Sequence, residues 1–131
     1  MSAPNEVRAW LDQFAAAVRS RDLDAGRAMF ASDCTSFGTR VTQADSIDEL
    51  AQNQWGPIWT ITTGFAFEPE PALAWSDDGS QVVVMVQWTS FTDADVPALR
   101  RGRATIVLEQ APHRPLGLVA THTHFSESPV S

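Results

Sequence analysis

The sequence predicts an α+β fold in which N-terminal helices pack on a curved antiparallel sheet built from the second half of the chain. Three observations carry the prediction. Apolar residues near the start recur at helical spacing, β-branched and aromatic residues dominate after about residue 60, and turn signals divide that second half into extended runs. The 131 residues have the size of one domain, expected to span 1–131, and 44% apolar content with five Trp and seven Phe suffices for one core.

The first helix follows from Val7, Trp10, Leu11, Phe14 and Val18, which fall on one stripe, while Arg8, Asp12 and Arg19 lie off it. Ser20-Arg21-Asp22 breaks the pattern, and Asp22 can cap a short second helix carrying Leu23, Ala28, Met29 and Phe30. A brief strand over 35–38 is expected next. Ser46-Ile47-Asp48-Glu49 has the capping-box form, so a third helix should start there, run to about Gln54 and stop at Gly56-Pro57. Residues 60–67 are rich in β-formers, and Pro69 and Pro71 restrict the next segment to an edge or bend. Ser76-Asp77-Asp78-Gly79 is a turn leading into 82–91, the strongest strand of the chain. A polar loop over 92–99 and two strands over 103–110 and 117–126 complete the sheet.

Charge and composition narrow the function. A net charge of −7 opposes nucleic-acid phosphates, and the basic cluster Arg100, Arg101, Arg103 is offset by the acidic run 93–95. The nine basic residues are all Arg, a composition typical of a GC-rich bacterial genome. The lack of Lys excludes a Schiff-base lysine, and the lack of Tyr excludes a phenolic acid. No apolar run reaches a bilayer-spanning length, and the first residues lack the pattern of a secretory signal. One cysteine, Cys34, permits no internal disulfide. A cytoplasmic location with no membrane or nucleic-acid partner is therefore expected.

His122-Thr123-His124-Phe125-Ser126, preceded by Leu118-Val119 and by Gly102-Arg103-Ala104-Thr105, resembles the ending of the nuclear transport factor 2-like superfamily. It is most similar to the SnoaL-like and ketosteroid-isomerase-like branch, whose last strands often read GR-x-T and then H-x-H-x-S. The order of elements agrees over essentially the whole chain. Two departures stand out: Leu118 replaces a frequent Trp, and the preceding turn is Pro-rich. The resemblance implies a cone-shaped fold, a pocket between sheet and helices, and a dimer packed through the sheets. It implies no single chemistry, since relatives include isomerases, cyclases, dehydratases, epoxide hydrolases and binding modules. A Tyr–Asp isomerase site is impossible here.

Strand alternation puts His122, His124 and Ser126 on one face, expected to line the pocket, with Val119, Thr121, Thr123 and Phe125 on the other, facing a partner subunit. Two imidazoles could serve proton transfer or contact a ligand. A metal would need a third ligand such as Asp33, Glu109 or His113, which no spacing supplies, so no cofactor or metal is expected. Asp33, after the second helix, would sit near the pocket mouth in this architecture, where relatives carry a general base. Cys34 has no basic neighbour and reads as a small buried thiol. Arg103 and Glu109 share a strand face on which they could meet a ligand or each other. Trp55 and Trp59 could wall an apolar pocket, and Gln87 adds a polar group on the central strand. That strand is apolar on both faces, which independently calls for a second copy of the chain. The leading expectation is a domain binding a small apolar molecule, as a homodimer. The alternatives are a small isomerase, cyclase or hydrolase using His122 or His124 with Asp33, and a non-catalytic dimerisation module.

Overall fold

A computed structural model describes residues 4–129. Helix α1 (Pro4–Ser20) buries Val7, Trp10, Leu11, Phe14 and Val18, the stripe that the spacing predicts. It ends in a Schellman arrangement: Asp22 N–H bonds the Ala17 carbonyl at 2.9 Å and Arg21 N–H bonds Val18 at 3.1 Å. Arg21 takes the left-handed conformation (φ 57°) that this turn requires. Asp22 then caps α2 (Leu23–Arg27) by accepting from Ala25 N–H at 3.0 Å.

Strand β1 (Phe30–Phe37) is longer than the 35–38 segment expected. At α3 (Ile47–Leu50) Ser46 accepts from Glu49 N–H at 3.1 Å, while the Glu49 carboxylate reaches back to Asp45 N–H at 2.9 Å. The helix does not stop at Gly56-Pro57. A π-helical turn (Ala51–Trp55) carries it into α4 (Gly56–Trp59), so residues 47–59 form one helical run. Gly56 N–H bonds Ala51, five residues back, and this shift starts a fresh first turn in which Pro57, lacking an N–H, is tolerated.

The remaining strands are β2 (Thr62–Phe67), β3 (Ala72–Trp75), β4 (Gln81–Thr92), β5 (Leu99–Gln110) and β6 (Leu118–Glu127). They and β1 form a curved, unclosed six-stranded sheet in the order β1-β6-β5-β4-β2, with β3 also paired to β4. The sheet is not wholly antiparallel, because β1 pairs parallel to β6. The β3–β4 turn is held by Asp78, whose carboxylate accepts from Ser76 Oγ, Ser80 N–H and Ser80 Oγ at 2.7–3.0 Å. These bonds hold its pKa down at about 2.

Alternation sorts the sheet into two faces. Val82, Val84, Val86, Trp88 and Ser90 of β4, with Gly102, Ala104, Ile106 and Leu108 of β5, point inward and are buried against the helices. The other side of β4 is not buried within one chain: Met85 and Phe91 are 42% and 43% exposed. On β6 the alternation breaks. Val107 pairs with His122 but Leu108 pairs with Ala120, so Thr121 is an extra residue in a β-bulge. Leu118 and Ala120 face inward before it, and Thr123 and Phe125 face inward after it.

Candidate functional site

Between the inner sheet face and the helical run 47–59 lies a cavity of about 60 Å³. Its walls are rich in aromatic residues because the cone converges on rings from several elements, among them Phe14, Trp55 with Trp59, Phe65, Trp88 and Phe125. Trp55 and Trp59, one turn apart, stack at 4.6 Å with planes 15° from parallel. Trp59 stands edge-on to Phe14 at 5.9 Å. Gly26 makes room for the pair, since a Cβ there would come within 2.8 Å of Trp55 and 2.9 Å of Trp59. Both tryptophans line the cavity.

The polar groups of the lining are few and mostly satisfied. Thr123 Oγ1 and Ser36 Oγ share a buried hydrogen bond of 2.8 Å. Gln54 accepts from Arg40 N–H at 2.6 Å and donates to Thr39 Oγ1 at 2.9 Å. Thr62 Oγ1 donates to the Ile58 carbonyl at 2.6 Å. Ser90 differs. It is 1% exposed, and its Oγ has no hydrogen-bond partner among the described residues. Arg100, paired across the strands with Ser90, donates from Nε (3.0 Å) and Nη2 to the same Glu127 oxygen and lies 5.9 Å from the centre of the Trp88 ring. Outside the cavity an open groove of about 580 Å³ shares Gly38, Thr39, Ile58, Arg100 and Phe125 with it and adds Arg40, His124 and Glu127.

The histidines take the opposite face from the one expected. The Thr121 bulge turns His122, His124 and Ser126 outward and brings Thr123 and Phe125 onto the cavity. His122 Nδ1 is hydrogen-bonded to Thr35 Oγ1 at 2.8 Å, and Phe37 stands edge-on to both imidazoles at 5.3 and 5.5 Å. His124 lines the groove but not the cavity. Asp33 is exposed on β1 and lines neither space. Gln87 and Arg103 face each other across β4 and β5 on the outer side, where Glu109 also lies. Six residues of strand separate Arg103 from Glu109 by roughly 20 Å, too far to meet. Among the described residues, no three of His, Cys, Asp and Glu converge. Cys34 is buried, and burial pushes its thiol up to about 11, opposed by a bond from Ser36 and reinforced by the charge of Asp33.

Sequence reasoning missed Ser36, Gln54, Ser90, Arg100 and Thr123. Ser90 alone left a signal, as the hydroxyl that ends the otherwise apolar inward set Val82, Val84, Val86, Trp88.

Solved structures with the same architecture are numerous and distant. One is a nuclear transport factor 2-like superfamily protein from Salmonella enterica, with TM-score 0.79 and 16% identity, covering 97% of this chain and 92% of that one. Another is a putative calcium/calmodulin dependent protein kinase II association domain from Xanthomonas campestris, with TM-score 0.82 and 17% identity, covering 100% and 91%. A third is a putative scytalone dehydratase from Novosphingobium aromaticivorans, with TM-score 0.78 and 8% identity, covering 95% and 83%. At these identities the likeness is one of fold. Comparison with curated proteins found no match. The profile of the SnoaL-like domain matches residues 7–131, and the chain belongs to that family, with the fold seen in nuclear transport factor 2-like proteins.

Proposed function

We propose that the chain is a small-molecule-binding domain whose ligand puts a planar, mainly apolar group among Trp55, Trp59 and Trp88 and hydrogen-bonds Ser90. The unpartnered Ser90 hydroxyl carries the reading. A buried hydroxyl without a partner costs about 1–3 kcal/mol, and a ligand that bonds it recovers that cost on binding. Mostly aromatic walls with a few placed polar groups are the usual make-up of a ligand site. The cavity alone is small, so the ligand extends into the groove beyond it. Among the described residues the cavity itself is lined by one titratable side chain, Arg100, while His124 and Glu127 line the groove outside it. The outer sheet face, carrying Met85, Phe91, His122 and His124, is assigned to a second copy of the chain. A reducing, cytoplasmic setting suits its single thiol.

Tryptophan fluorescence tests the binding site, because three of the five Trp residues line the cavity. Benzamide should quench it saturably. Ser90→Ala should weaken that binding roughly tenfold, the worth of one buried hydrogen bond, without lowering the melting temperature. Linear, unsaturable quenching would refute the reading.

A further inference from the structure

We infer that the ligand is an anion, and that its carboxylate takes the place of Glu127 on Arg100. The inference rests on the binding function proposed above and names its ligand class. Arg100 is the one charged side chain that lines the cavity, and it stands where cavity and groove join. Its side chain is only 17% exposed, so its charge is largely withdrawn from water and needs a counter-charge. In the unliganded chain Glu127 supplies it, but in an incomplete way. Arg100 Nε and Nη2 both reach the same Glu127 oxygen, Oε1. A guanidinium edge is matched best by a carboxylate that gives one oxygen to each N–H.

Glu127 is also easily released. It is the last residue of β6, and its side chain is 52% exposed, so moving it into water exposes no core. Arg100 would stay in position without it, because the guanidinium rests over the Trp88 ring. An incoming carboxylate therefore replaces one anion by another on an unmoved cation, whereas a neutral ligand must leave the Glu127 pair intact. The groove adds a second cation, Arg40, beside Arg100. An aromatic monocarboxylate fits both halves of the space: the ring goes to the tryptophans and the carboxylate to the junction.

Calorimetric titration with benzoate and with benzamide, which differ in charge and little in shape, tests the inference on three proteins. The unaltered chain should bind benzoate about tenfold more tightly than benzamide, as expected for a charge-assisted pair in place of a neutral one. Glu127→Gln removes the internal competitor, and the preference for benzoate should grow several-fold. Arg100→Gln should abolish the preference. Melting temperatures establish that each variant is folded, and Glu127→Gln, isosteric at a half-exposed site, keeps the test valid if Arg100→Gln is unstable. Benzamide bound as tightly as benzoate, in both the unaltered chain and Glu127→Gln, overturns the inference and leaves the binding function standing. Binding of neither compound overturns both.

Discussion

Cys34 offers a test of burial that few proteins allow. Its thiol is sealed behind the inner face of β1, with a pKa near 11 against an ordinary value of 9.0. The folded state therefore keeps its proton longer than the unfolded one. Stability is intact below about pH 9 and should fall as the pH rises through 11. The chain has no Lys and no Tyr, the other side chains that ordinarily titrate in this range. Between pH 9 and 11 no other side chain changes charge, so the loss belongs to one group. The melting temperature should drop across that interval in the unaltered protein and stay flat in Cys34→Ala. Equal slopes in the two proteins would mean that the thiol is not buried as described. The same sealing makes the thiol slow toward alkylation until the chain unfolds.

At the scale of elements, the legible parts were those whose cause is local. The apolar stripe of α1, the Asp22 and Ser46 caps and the run of β-formers in β4 depend on neighbours in sequence, and each was read correctly. What escaped depends on pairing. Alternation put His122 and His124 on one face, and their polarity suggested that it faced the pocket, but one extra residue, Thr121, reverses every face after it. Nothing in Ala120-Thr121-His122 signals a bulge, because its cause is the register against β5. The helix passing through Gly56-Pro57 escaped likewise, since the π turn that admits Pro57 has no mark in the local sequence. Thr123 and Arg100 needed the three-dimensional sheet. Pairing also explains Gly102, which lies opposite Trp88 and leaves its face free for the indole. A Cβ there would overlap both the Trp88 ring and the Ser126 carbonyl. The ring's N–H bonds the Arg103 carbonyl at 3.3 Å, so it cannot swing away without losing that bond. Gly102→Ala should cost about 3 kcal/mol by overpacking, read as a lower urea midpoint. A midpoint unchanged from the unaltered chain would show that Trp88 does not depend on this gap.

For the molecule as a whole, the reversed faces of β6 decide which surface a second copy would meet. The inner face is consumed by the core and cavity, so the exposed apolar residues of the strands stand on the outer one. Met85, Phe91, Leu99 and Phe37 are each between 40% and 49% exposed there, with Val83 and Val107 between them. Patches of this kind mark association surfaces, and a sheet face presented by two identical chains closes naturally about a two-fold axis. Arg101, Arg103 and Glu109, on the same face, supply charges for pairing across such an axis. A stable dimer would bury more than about 1,000 Å², which matches the breadth of three long strands. Sedimentation at micromolar concentration should therefore give twice the chain mass of 14.3 kDa. Met85→Glu, which puts a charge in the middle of the face, should return a folded monomer. Because Met85 lies on the opposite side of the sheet from Ser90 and Trp88, that monomer should still bind benzamide. An unaltered chain that sediments at 14.3 kDa would reject the dimer, and loss of benzamide binding in Met85→Glu would mean that the two faces are not independent.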